Sequence, residues 1–301
     1  MRVCVILNPW ADRGRARLMQ EQIVAWGTAH GGLDMRVTDA PGRAQTLAAE
    51  LAADYDVIAA AGGDGTANEV ANGLILSGRA ASTHFGLIPI GSGNDYAFSL
   101  GLLDTPQQAV QRLFTGQPRP VDIATITDEH GRRRVVTNGI GIGFDAAVAI
   151  ESLKVTRIYG FALYVLATLR TMLFRFQAPD CRFQFDDDTT AQGTLLLAVG
   201  VGQRVGGGFY LTPGAIMDDG LLDTCLVNPV NRLTMLILVL RAMKGRHVTS
   251  RHVAMGRSRR ITLQANRPLP IHTDGEIFAF LEDNVRQLTI EVIPAGMHVM
   301  A

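Results

Sequence analysis

Lysine is nearly missing from this chain. Of 301 residues only Lys154 and Lys244 are lysines, so almost all the positive charge is arginine. Arginine is the better bidentate ligand for phosphate. Net charge is missing too: 28 basic and 28 acidic residues give a formal +0. A balanced chain exerts no global pull on nucleic acid, and no nucleic-acid partner is expected. Cysteine is scarce. Cys4, Cys181 and Cys225 stand far apart with no metal-ligand spacing, which suits a reducing cytoplasm. Long apolar runs are lacking. The longest, Ile158–Leu169, is closed by Arg157 and Arg170 after 12 residues, against the ~20 needed to cross a bilayer. The opening run ends at Asn8-Pro9, too short for a secretory apolar segment. The expectation is a cytoplasmic protein that touches the inner membrane face only peripherally. There is no internal repeat.

What is present is a strand–helix rhythm. Arg2–Leu7, Asp34–Thr38, Val57–Ala61 and Phe85–Ile90 read as strands. Ala16–His30, Ala44–Ala53, Ala67–Ser77 and Pro106–Phe114 read as the helices between them. Such alternation predicts a parallel sheet covered by helices, with ligands beyond the carboxyl ends of its strands. After Gly116–Pro120 the pattern turns to short strands: Val121–Thr127, Arg134–Val136, Arg182–Phe185, Thr194–Val201, Leu222–Val227, Arg260–Leu263 and Leu288–Ile293. Two helices interrupt them, Ile158–Phe174 and Arg232–Lys244. The expected fold class is α/β: an N-terminal nucleotide-binding domain over 1–120, then a β-rich sandwich domain over 121–301. The chain end returns to the first domain, and the active site lies in the cleft between the two.

The most informative segment is Gly62-Gly63-Asp64-Gly65-Thr66-Ala67-Asn68-Glu69-Val70. It joins a buried strand to a helix. Glycine inside an element costs roughly 0.5–1 kcal/mol relative to alanine, but permits close backbone approach. Amides at a helix start suit a phosphate. Asp64 adds a charge that anion binding alone does not need; it suits a Mg²⁺–phosphate pair or a reacting hydroxyl. Neither a Walker lysine nor the dinucleotide pattern is present. A second glycine turn, Gly91-Ser92-Gly93-Asn94-Asp95, follows another strand of the same sheet. There Ser92 can donate to a phosphate or ribose, Asp95 can join a carboxylate network, and Asn94 and Asp95 are also simple helix caps. Arg13 and Arg15 sit near a helix start, as phosphate ligands or as solvated charges.

Three further stretches carry two readings each. Asp218-Asp219-Gly220 is a plain turn or a hard-cation site. His272-Thr273-Asp274-Gly275-Glu276 is a hairpin turn or the seat of a general base. Ile158–Phe176 is a buried helix or the wall of an acyl pocket. Near it, Arg170, Arg175 and the basic residues of 241–260 can face anionic headgroups, or simply water.

Together these residues resemble the diacylglycerol kinase catalytic-domain family, including bacterial soluble lipid kinases and sphingosine kinases. The likeness covers nearly the whole chain. Residues 62–70 look like the family's nucleotide loop, and Pro89–Ala97 like its second loop, with Ser92 where Thr is usual. Asn8-Pro9 opens the first loop, where Asp12 replaces a commoner Gly. Gly206-Gly207-Gly208, Asp218–Asp223 and Asp274-Gly275-Glu276 match as well. The resemblance implies ATP and Mg²⁺ as cofactors and a lipid as acceptor. It makes Thr38 a nucleotide contact. It places a structural Mg²⁺ on Asp219 with the carbonyls of Ile216 and Leu221. It puts the base at Glu276, with Asp274, Asp95 and Asp122 in a carboxylate network. The expected activity is ATP-dependent phosphorylation of a lipid hydroxyl, with Asp64 holding catalytic Mg²⁺. The alternatives are an NAD kinase, whose Thr-Gly-Ser-Thr signature is missing here, and a non-catalytic nucleotide- or lipid-binding regulator.

Overall fold

The computed structural model describes residues 1–155, 158, 160–174 and 177–301, apart from the side chains of residues 160, 161 and 164. The chain forms two compact units: Met1–Asp122 with Pro294–Ala301, and Ile123–Ile293.

The first unit is a parallel sheet. Its strands are β1 (Val3–Leu7), β2 (Asp34–Val37), β3 (Val57–Gly62) and β4 (His84–Pro89), in the order β2-β1-β3-β4. Every residue of β1 and β3 is buried, as befits interior strands of a parallel sheet covered on both faces. Between them run α1 (Gln20–Thr28), α2 (Arg43–Leu51) and α3 (Asp64–Leu76). Gly73 lets α2 and α3 close: a Cβ there would stand 2.3 Å from the Gln45 carbonyl oxygen. Two shorter helices follow, α4 (Asp95–Leu100) and α5 (Pro106–Thr115). The second is set by Pro106 in its first turn and a Thr105–Gln108 capping box. The core between strands and helices holds Val5, Leu7, Val57, Ala59, Ile88 and Leu113.

Two expectations need correction here. The helix expected over 16–30 is present to Thr28, but its first turn is a tighter helical stretch, Ala11–Met19, that starts earlier than expected and holds a kink, the left-handed Asp12, Arg13 and Gly14, ahead of position 16. Apolar spacing carries no trace of such a kink. The glycine loop is also shorter than expected. Helix α3 begins at Asp64 rather than Ala67, so Asp64, Gly65 and Thr66 form its first turn.

The second unit is antiparallel. One sheet contains β7 (Gly139–Gly143), β10 (Leu196–Gly200), β11 (Leu222–Val227), β12 (Val253–Ser258), β14 (Ile271–Thr273) and β15 (Glu276–Ala279), ordered β12-β11-β10-β7-β14-β15. The other ladder joins β8 (Asp180–Phe185), β9 (Asp188–Gly193), β13 (Arg260–Ala265) and the first part of β16 (Gln287–Met300). The end of β16 belongs to the first unit, where Val299 pairs with Phe85 of β4. The strand β5 (Pro118–Asp128), paired with β6 (Arg133–Val136), makes the crossing at the other end. Among the described residues three α-helices, not two, interrupt the strands: α6 (Phe144–Ser152), α7 (Gly160–Phe174) and α8 (Arg232–Ala242). In α6 six of nine residues are buried and none is exposed, so no amphipathic period betrays it. Burial holds the Cys225 thiol up at about 12 and the Cys4 thiol at about 11, so neither is reactive at neutral pH.

Candidate active site

In the first unit Asn8 stands just past the end of β1. Its amide donates to the Ala61 carbonyl at 3.0 Å. Its side chain works in two directions: Nδ2 donates to Thr66 Oγ1 at 3.1 Å, and Oδ1 accepts the Trp10 amide at 3.0 Å. Thr38 follows β2, is buried, and donates its amide to the Leu7 carbonyl at 2.9 Å. Between these residues opens a cavity of about 290 Å³, lined by Asn8, Trp10, Thr38, Gly65, Thr66 and Glu69 among others. As at any helix start, the first N–H groups of α3 have no acceptor within their own helix. They carry the positive end of the helix dipole, which suits an anion.

The two glycine turns touch. The Ile90 amide donates to the Gly62 carbonyl at 2.8 Å, and a Cβ on Gly91 would lie 2.5 Å from Gly63 Cα. Asn94 does not cap α4 with its side chain; Nδ2 donates back to the Gly91 carbonyl at 2.9 Å. The Tyr96 amide donates to Asp64 Oδ1 at 2.9 Å. Ser92 is exposed and does not line the cavity, while Asn68 and Asp95 are buried. Asp122 is buried too, and its Oδ1 accepts the Ala295 amide at 2.8 Å. One residue escaped sequence reasoning. Glu69 accepts the amides of Gly42 and Ala44, at 3.0 and 3.1 Å, and so holds the start of α2 at the cavity wall.

In the second unit Asp274 and Gly275 have φ of 52° and 87°. That is the two-residue turn of a tight hairpin, with Thr273 opposite Glu276. The hairpin reading is therefore correct, yet the turn does more. Asp274 Oδ1 accepts the amides of Asn138 and Gly139, both at 2.8 Å. Its Oδ2 accepts the Thr137 amide at 2.8 Å and hydroxyl at 3.1 Å. Burial pushes this carboxyl's pKa up, against the pull of those donors. Glu276, by contrast, is exposed at the start of β15. A second pair went unread: His272 Nε2 lies 2.9 Å from Asp145 Oδ2, over Gly141, where any Cβ would stand 2.2 Å from both side chains.

The loop before β11 holds the residues expected to take a hard cation. Asp219 Oδ1 accepts the Leu221 amide at 3.0 Å, and Ile216 is exposed. Asp223 is buried, and among the described residues its Oδ2 has no hydrogen-bond partner. Burial pushes its pKa up, opposed by Arg257, whose Nε lies 3.3 Å from Oδ1. The same guanidinium lies 3.8 Å from Asp219. Two carboxylates thus share one cation, and one buried oxygen stays unsatisfied. Loop carbonyls plus carboxylate oxygens are donor types that Mg²⁺ takes, while the Arg257 guanidinium already stands beside both carboxylates. Among the described residues no three His, Cys, Asp or Glu side chains converge on a metal. Elsewhere in this unit a cavity of about 270 Å³ is lined by Phe144, Ala147, Ile150, Leu269 and Phe280, with Lys154 and Arg267 beside them.

A helix start at a glycine turn beside the cavity lined by Asn8, Thr38 and Thr66 suits an anionic ligand, and likeness to known proteins makes the chain a kinase. The family model for the diacylglycerol kinase catalytic domain matches residues 2–126, and that for the YegS C-terminal NAD kinase beta sandwich-like domain matches residues 138–301. The chain belongs to this YegS-like lipid kinase family. It is 32% identical over 271 residues to "Probable lipid kinase YegS-like" of Xanthomonas oryzae pv. oryzae, across 89% of this chain and 86% of that one. It is 27% identical to "Diacylglycerol kinase" of Bacillus subtilis, across 91% and 89%. The fold is shared with a crystal structure of a diacylglycerol kinase from Bacillus anthracis str. Sterne, with a TM-score of 0.74 and 20% identity over 99% of this chain and 96% of that one.

Proposed function

We propose that this kinase transfers the γ-phosphoryl group of ATP to the hydroxyl of a diacylglycerol-like lipid. The observation that carries the reading is the start of α3, where Gly62–Thr66 meets the cavity lined by Asn8, Thr38 and Thr66. The amides of Gly62, Gly63 and Gly65 orient the phosphates, with Asn8, Thr38 and Thr66 lining the nucleotide cavity; Asn68 supports α3 from its buried side, and Ser92 stands outside the cavity. Asp64 holds the catalytic Mg²⁺, directly or through water. Bound there, the ion neutralises charge on the phosphates. Asp95 and Asp122 belong to the supporting carboxylate network. The lipid hydroxyl attacks the γ-phosphorus, its proton passes to Glu276, and the bond to ADP breaks. Asp274 fixes the turn that presents Glu276. The loop at Ile216, Asp219 and Leu221 holds a structural Mg²⁺ in the second unit. Most of the rate enhancement is positioning and charge stabilisation.

The names of the relatives and the apolar cavity of the second unit support the lipid acceptor. NAD kinase is the closest alternative, and a non-catalytic regulator the next. Incubation with labelled ATP, Mg²⁺ and a mixed lipid extract, beside NAD, decides among them. Label in the lipid phase supports the proposal. Label in NADP, or none in any acceptor, overturns it.

A further inference from the structure

Helices α7 and α8 are apolar on both sides. Ala167 and Met172 of α7, and Met235 and Leu238 of α8, share one core with Leu196, Ala198 and Cys225. A helix packed on a protein core ordinarily turns a polar face outward. These do not. On α7, Val165, Leu169, Leu173 and Phe174 are 36%, 42%, 62% and 75% exposed. On α8, Leu233, Ile237 and Leu240 are 69%, 45% and 57% exposed. Spacings of three and four residues align Val165, Leu169 and Leu173, and Leu233, Ile237 and Leu240, into two stripes, with Phe174 next to Leu173 at the end of the first. The Arg232 guanidinium at the start of α8 donates to the Leu173 carbonyl at 3.3 Å, so the two stripes adjoin there. The helix is therefore neither fully buried nor simply a pocket wall, the two readings open for Ile158–Phe176; Tyr159, Arg175 and Phe176 lie outside the described residues.

Charge says what covers this surface. Neither helix contains a carboxylate. From Thr224 to Thr273 there is none at all, while nine arginines and lysines fall in that stretch of a chain with zero net charge. Arg170, Arg232 and Arg241 lie within one turn of the exposed leucines. A second copy docked by symmetry would bring these cations face to face. A bilayer with anionic headgroups satisfies both chemistries at once.

We propose that the outer faces of α7 and α8 dock this protein on an anionic lipid bilayer. The seven apolar side chains enter the headgroup–acyl boundary, and Arg170, Arg232 and Arg241 meet the headgroups. Docking extends the lipid-acceptor reading, since that acceptor resides in a bilayer, but it is measured without turnover.

The test is flotation of the full chain with vesicles of phosphatidylcholine alone, or of equal parts phosphatidylcholine and phosphatidylglycerol. The protein should float with the anionic vesicles only, and less as salt rises. The double variant Leu173→Glu/Ile237→Glu should lower the bound fraction at least about tenfold, and Arg170→Gln/Arg241→Gln about fivefold per arginine. Leu173 and Ile237 are exposed, so circular dichroism melts of the glutamate variant should match the parent. Arg170 also pairs with the buried Glu151 at 3.4 Å, so the arginine variant is scored at a temperature where its dichroism spectrum equals the parent's. Unchanged flotation of the glutamate variant overturns the proposal. So does a solution dimer that the same glutamates dissociate. Normal flotation with no phosphoryl transfer to any lipid, in vesicles or detergent micelles, instead removes the kinase reading and leaves docking in place.

Discussion

The amide of Tyr96 donates to Asp64 Oδ1 at 2.9 Å. Through this bond the first turn of α4 restrains the carboxylate at the first turn of α3. Asp64 is thereby held in orientation by a neighbouring backbone.

Asp64→Asn keeps an oxygen for the Tyr96 amide and removes only the charge. Turnover with ATP should fall by at least ~10²-fold, the scale of losing one preorganised electrostatic contact. The thermal midpoint should stay near that of the parent. Near-normal turnover would reject the role given to Asp64.

Asp274 and Glu276 should separate cleanly. Asp274→Ala strands three amides and a hydroxyl, and should cost about 2–4 kcal/mol of stability in urea unfolding. Glu276→Gln touches an exposed position. It should leave stability alone and lower kcat by ~10²–10⁴-fold, the usual worth of a general base. If Asp274→Asn abolishes turnover while Glu276→Gln does not, the base has been misassigned.

The contact of the two glycine turns gives a steric prediction. A methyl at Gly91 would meet Gly63 Cα at 2.5 Å and Asn94 Oδ1 at 2.7 Å. Gly91→Ala must therefore displace the phosphate loop, and a shift of about 1 Å costs ~10²-fold in kcat/KM. Steady-state kinetics with varied ATP reads it directly; wild-type values would mean the loop is not the phosphate site.

Metal removal is testable apart from catalysis. Mg²⁺ at the Asp219 loop should raise the melting temperature, and EDTA should reverse the rise, since a ligand at ~100 times its Kd stabilises by about 2.7 kcal/mol. Asp219→Asn should abolish the Mg²⁺-dependent shift. A shift that survives this change places the ion elsewhere.

Burial lowers the pKa of His247, whose Nε2 lies 3.1 Å from the Leu211 carbonyl oxygen. The unfolded chain protonates this histidine near its ordinary 6.5, and the folded chain only at lower pH. Between those values the unfolded state binds more protons, so stability falls as pH drops below about 6.5. His84 acts in the same direction, by burial and the neighbouring His298. Melts of His247→Gln from pH 7.5 to 5 should show a shallower decline than the parent.

The local steps were legible in the sequence. The runs over β1, β3 and β4 are continuously apolar, because interior parallel strands are buried on both faces. The glycine turns after β3 and β4 follow from chemistry within ten residues. Other elements left no such mark. The largely exposed β12, with Gly256 and Arg257 in it, shows no apolar alternation.

The amino-acid order determined by itself that this chain alternates strand and helix, then turns to short strands, and that Gly62–Thr66 sits at a helix start. Only the tertiary structure decided which groups meet. Strand register sets Asp274 on the amides of 137–139 and His272 opposite Gly141 beside Asp145. Helix packing brings Glu69 to the start of α2. These pairs are separated by 25 to 137 residues. Contacts at such separation are settled by which faces pack together, and no local period or propensity encodes them.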